Sequence, residues 1–203
     1  MSERRHHRPS MPGARHFEAI EGSTDPAELG VAAERAATAL VRGGRSHADQ
    51  ALVDRVVHLA DVEGLDTLAE LWSGAAADSL AGSLWRLYLL RTWVHASPAV
   101  AAEEFDRGRA HVPVSEVVSG VVEPPGPREV RLLVDQVLRG VVQGDFADTL
   151  FRAAAFARVT AAGRAHDERE HDRYDADLSA ARLLTLAEQL ERAARLELAG
   201  TLS

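Results

Sequence analysis

The amino-acid sequence predicts an all-α protein: a single compact bundle of seven to nine helices around two largely apolar central helices. Three observations carry that expectation. Cap-and-proline pairs that open helices recur along the chain, apolar residues return every three or four positions, and no strand–helix–strand alternation or repeat of fixed period is visible. The 203 residues, 46% apolar and 27% charged, match an ordinary globular domain large enough to bury one core. The expected organisation is a disordered basic tail over residues 1–23 and one helical domain over residues 24–203.

The elements follow in order. Asp25 is a good N-cap, Pro26 has φ preset for the first helical position and Glu28 sits in the first turn, so a helix runs to about Arg42 and stops at Gly43-Gly44. Ser46 caps a second helix, "HADQALVDRVVHLADVE", with Leu52, Val56, Leu59 and Ala60 on one face, and Gly64 ends it. The short piece "LDTLAELW" leads through "SGAAAD" into "SLAGSLWRLYLLRTWVHA". That segment is apolar nearly all round the wheel, with Leu80, Leu84, Leu87 and Tyr88 on one side, Trp85 and Leu89 on another, and Leu90 and Trp93 on a third. Such all-round apolarity predicts a buried central helix. Ser97-Pro98 opens the next helix, "AVAAEEFDRGR", whose end Gly108 weakens. Residues 111–126 fit either a short hairpin or one helical turn.

Pro127 starts "REVRLLVDQVLRG". Asp145 begins "FADTLFRAAAFARVTAAGRA", whose stripe of Phe146, Leu150, Ala153, Ala154 and Ala157 is rich in small residues that permit close helix approach; this is the second central helix. Last comes "LSAARLLTLAEQLERAARLELA". Leu183, Leu186, Leu190, Ala193 and Ala194 form a seam, with the pairs Glu188–Arg192 and Glu191–Arg195 outside it. The seam docks either on the domain's own core or on a second copy of the chain.

Composition narrows the chemistry. Lysine and asparagine are absent and Ile20 is the sole isoleucine, while all 23 basic residues are arginine. A high-GC genome explains that bias, so the arginine content is weak evidence for function. Without lysine there is no Schiff-base nucleophile and no phosphate-binding lysine of a Walker A loop. Without cysteine there is no disulfide, thiolate, zinc–sulfur or iron–sulfur chemistry. Net charge is −8 and residues 1–16 are basic, so the body is acidic and ill-matched to phosphate backbones; no nucleic-acid partner is expected. Apolar stretches are interrupted by arginine well short of a membrane span, and the tail has no apolar leader region, so a cytoplasmic protein is expected. The helix–turn–helix rhythm around "SGAAAD" does not change this, because its second helix is mostly leucine and tryptophan where a recognition helix needs a polar face.

Two constellations invite chemistry. "AHDEREHDRYDAD", residues 165–177, packs two histidines and six carboxylates into thirteen positions. On a helix, His166, Glu168 and His171 would be weak metal-ligand candidates, Glu168 and His171 forming one ExxH pair. A bundle di-iron site needs a second such pair, and the only other one, Glu3/His6, lies in the tail. Arg164, Arg169 and Arg173 compete with a cation, so a solvated connector is the expected reading, with no metal and no cofactor.

The second constellation is charge among apolar residues. Arg91 projects from the side of Leu80, Leu84 and Leu87, and Arg86 lies between Leu90 and Trp93. A buried guanidinium needs a partner. Glu63, Asp66 and Glu70 are the candidate carboxylates, and in that reading the charges are structural. Alternatively Arg86, Arg91, Trp85, Tyr88, Trp93 and His95 wall a pocket for an anionic or aromatic small molecule. Glu103, Glu104 and Asp106 read as one solvated helix face beside Arg107 and Arg109. His58, near Asp61, reads as a structural histidine. No catalytic residue is assigned, since nucleophile elbows, phosphate loops and dinucleotide fingerprints are missing.

The segments "GLDTLAELWSGAAADSLAGSLWRLYLLRTWV", "EPPGPREVRLLVDQVL" and "AAAFARVTAAGRA" make most of residues 25–200 similar to a group of small, uncharacterised all-helical proteins from high-GC actinobacteria. The resemblance implies a cytoplasmic helical protein and carries over no activity, cofactor or site. The expected function is thus a non-enzymatic interaction or regulatory protein that binds an unknown protein partner or self-associates through its C-terminal helix. The alternative is a ligand-binding bundle or enzyme with its pocket near Arg86, Arg91, Tyr88 and His95.

Overall fold

A computed structural model describes residues 26–43, 65–111, 125–138, 146–166 and 179–203. Among these residues are seven α-helices and no strand: α1 (Pro26–Arg42), α2 (Leu65–Trp72), α3 (Leu80–Ala96), α4 (Pro98–His111), α5 (Pro127–Leu138), α6 (Phe146–Ala165) and α7 (Ala180–Leu198). The all-α bundle expected from the sequence is the observed fold. The basic tail, the expected helix over 47–63 with His58, and residues 112–124 lie outside the described residues.

Helix ends follow local chemistry. Gly43 (φ +69°) ends α1, its N–H donating 3.1 Å to the Ala39 carbonyl; a β-carbon would strain that left-handed residue. At the end of α7 Gly200 takes φ +67°, with its N–H on Glu197 and that of Thr201 on Leu196, both 2.9 Å. The motif turns the chain back so that Leu202 is buried. Three partners satisfy the first N–H groups of α3: the Ser203 main-chain oxygen takes Leu80 (3.0 Å), Glu34 of α1 takes Ala81 (3.4 Å), and the Ser79 hydroxyl takes Gly82 (3.1 Å). A helix start so enclosed has its backbone donors accounted for.

α6 is the centre of the molecule. Fourteen of its 20 residues are buried, against eight of 17 in α3. The expected stripe Phe146, Leu150, Ala153, Ala154, Ala157 is wholly enclosed, and α6 packs chiefly on α7 and α4. The α7 seam, Leu183, Leu186, Leu190, Ala193 and Ala194, is buried against it. The seam therefore docks on the chain's own core, and the large apolar residues that α7 turns outward are Leu184 and Leu198.

α3 corrects one expectation. It is buried along the stripe Leu80, Leu84, Leu87, Leu90, Val94 but exposes Thr92, His95 and Ala96, with Trp85, Tyr88 and Leu89 partly covered. Tyrosine and tryptophan count as apolar on a wheel, yet they sit here at the edge of the stripe, packed against the core and only partly buried. The fully buried tryptophan is Trp72 of α2. Gly108 likewise differs from its expected role. It does not fray α4: a β-carbon there would meet the Val159 carbonyl, and one on Gly163 would meet the Glu104 carbonyl. The two glycines let the backbones of α4 and α6 touch.

Candidate functional site

The six side chains of the expected pocket leave α3 in two directions. At 100° per residue, Trp85, Tyr88, Arg91 and His95 lie along one flank and Arg86 and Trp93 along the other. On the first flank the Trp85 and Tyr88 rings stack, centroids 5.6 Å apart and 18° between planes. The Tyr88 hydroxyl donates 2.5 Å to Asp66 of α2. Arg91 Nε donates to Asp135 of α5, and His95 Nε2 stands 4.0 Å from the same carboxylate. On the second flank Arg86 Nε donates 2.6 Å to the Gln189 side chain of α7, and Nη1 donates 2.7 Å to the Gly82 carbonyl. Trp93 lies against Phe156 (6.3 Å) and beneath the guanidinium of Arg164, 4.9 Å from its centroid, a cation–π contact.

The body of α3 thus stands between two polar groups. One joins α3 to α2 and α5, the other to α6 and α7. Of the three carboxylates expected to serve the arginines, Asp66 takes Tyr88 instead and Glu63 lies outside the described residues; the partner of Arg91 is Asp135, and no hydrogen bond joins either arginine to Glu70. Arg86 pairs with neutral oxygens. Burial lowers its hold on the proton, with Asp78 opposing from a distance. Burial also pushes the His95 imidazole below its ordinary 6.5; Arg91 and Arg131 add to this and Asp135 opposes it. The Tyr88 hydroxyl is pushed up by burial and by the hydrogen bond to Asp66.

The sequence reading missed the most enclosed charges. Glu104, expected on a solvated face, is 8% exposed and holds Arg164, 4% exposed, through two hydrogen bonds of 3.0 and 2.7 Å. Its neighbour Glu103 behaves as expected, pairing at the surface with Arg107 at 3.0 Å. Glu191 is not outside the α7 seam either. It is buried and accepts from Arg195 and, at 2.6 Å, from Arg158 of α6. Spacing held the signal: Ala101, Glu104, Phe105 and Gly108 share one stripe of α4, as Ala157, Thr160, Ala161 and Arg164 do in α6.

Among the described residues no three histidine, aspartate or glutamate side chains converge on a common point. Of the metal candidates, His166 is exposed at the end of α6, while Glu168 and His171 lie outside the described residues. His166 meets His111 of α4, rings stacked with centroids 4.4 Å apart, a pairing invisible in the sequence. No described helix is long and apolar enough to cross a membrane. The first turn of α3, which a helix–turn–helix reader would insert in a groove, is buried. No protein-family model matches the chain, and no curated protein or solved structure is found similar to it.

Proposed function

We propose that the chain is a cytoplasmic, non-enzymatic interaction or regulatory protein whose partner is another protein or a second copy of itself. The observation that carries the reading is the fate of the inner charges. Arg91 is held by Asp135, Arg164 by Glu104, Arg158 by Glu191 and Arg42 by Glu197. Each pair joins two helices, so the groups that resemble a site are engaged in fixing the bundle. Outward apolar residues, among them Val31 of α1, Leu132 of α5 and Leu198 of α7, offer contact surface to a partner.

Arg86 favours a second reading. Its guanidinium is partly buried and bonded to neutral oxygens, so it retains charge for a small anion at the α3–α7 flank. Native mass spectrometry of the chain purified from its own host separates the two. The interaction reading expects a second polypeptide or a dimer and no retained small molecule; a stoichiometric anionic metabolite, lost in Arg86→Met, overturns it.

A further inference from the structure

The last turns of α4 and α6 are brought together by the two glycines that let their backbones touch. His111 lies three residues after Gly108, and His166 three residues after Gly163. Each ring is anchored to its own helix: Nδ1 of His111 lies 2.8 Å from the Arg107 carbonyl and Nδ1 of His166 lies 2.7 Å from that of Ala162. A carbonyl oxygen only accepts, so both Nδ1 atoms carry the proton. In the neutral ring the lone pair is then on Nε2 in both histidines. This tautomer leaves Nε2 of each ring open to a metal ion.

We propose that His111 and His166 form a two-histidine site for a divalent transition metal of the copper, nickel or zinc kind, with water completing the coordination. Metal–nitrogen bonds of about 2.0–2.1 Å place the centroids of two imidazoles bound at right angles on one ion about 4.5 Å apart. The observed separation is of that size, 4.4 Å, but in the metal-free chain the rings are stacked, with 25° between their planes. Convergence of the two Nε2 atoms takes a χ2 rotation of each ring, a broad torsion in histidine, which exchanges its Nδ1 hydrogen bond for the metal bond. Both rings are exposed, so an ion has an entry path. Both stand at helix C-termini, where the backbone dipole favours a cation. Arg107 and Arg109 oppose it, yet each is drawn aside: Arg107 donates to Glu103 (3.0 Å) and to the Gly163 carbonyl (3.2 Å), and Arg109 lies over the Phe105 ring. A nitrogen-ligand site should rank the ions copper over nickel and over zinc. An occupied site would lock the end of α4 to the end of α6, a contact that only the folded chain makes.

The test is titration of the full chain with Cu²⁺ and Zn²⁺, read by calorimetry and by the copper EPR spectrum. Wild type is expected to bind one Cu²⁺ through two imidazole nitrogens. His111→Asn and His166→Asn each weaken it at least about tenfold, the double variant loses little more, and a His6→Asn/His7→Asn control leaves it unchanged. Histidine-selective NMR of unsubstituted protein gives the same answer without a variant, since Zn²⁺ must shift Nε2 of His111 and His166 together. Copper binding that survives both single variants, disappears with the tail histidines, or is missing from wild type overturns the proposal.

Discussion

The sequence places both α3 and α6 at the centre of the bundle, but only α6 is enclosed along most of its length. α6 is lined with alanine and glycine, so α4 and α7 close on its backbone and even charged residues become enclosed. α3 carries tryptophan, tyrosine and arginine, whose bulk fills the gap to its neighbours but leaves polar atoms at the edge. Residue size, more than hydrophobicity, decides which helix is sealed. A charge of either sign in the sealed region needs an opposite charge beside it, as Glu104 and Arg164 supply for each other. Charges beside α3 are partly wet and correspondingly weaker.

That contrast can be broken from its strongest point downward. Glu104→Ala leaves Arg164 enclosed without its carboxylate and is expected to cost about 3–5 kcal/mol. The double variant Glu104→Leu/Arg164→Met should recover most of that, since replacing an entire buried pair by apolar groups is close to neutral. Urea unfolding of the three chains checks both statements; equal loss in the single and double variants would mean that packing, not charge, holds the site. Gly163→Ala forces a methyl against the Glu104 carbonyl and should cost about 3 kcal/mol, the upper part of the overpacking range. Gly30→Ala, where nothing lies within 4 Å of the added carbon, is the control and should be neutral or mildly stabilising.

Smallest is a pH effect beside α3. The His95 imidazole is held below 6.5 in the folded chain, so the unfolded chain binds the proton more readily. Its contribution is fully present above 6.5 and is lost as pH falls from there through the lower folded value. His95 is exposed, so the difference between wild type and His95→Gln across that window should be less than the loss in either Glu104→Ala or Gly163→Ala. A stability that rises on acidification, with the rise removed by His95→Gln, would reverse the sign assigned here.

The fold was legible because its signals are local: proline and serine at helix starts, Gly43 at a stop, and the period of Leu183, Leu186 and Leu190. Partners across helices were not. Asp135 lies 44 residues from Arg91 and Glu104 lies 60 from Arg164, and periodicity assigns a face without saying which helix covers it. The same limit let an expected pocket be drawn from six residues that occupy two flanks. It also hid the His111–His166 stack, which depends on where two glycines let helices cross. Glu104 was the avoidable miss, because it shares its stripe with Ala101 and Phe105.

A double-mutant cycle at Arg91 and Asp135 addresses the central claim most directly. If the charges beside α3 hold the bundle together, Arg91→Gln and Asp135→Asn should each lower stability, with a coupling of about 1 kcal/mol between them. An Arg91→Gln chain as stable as wild type or more so, with no coupling to Asp135, would instead mark a charge kept for a ligand at the expense of the fold.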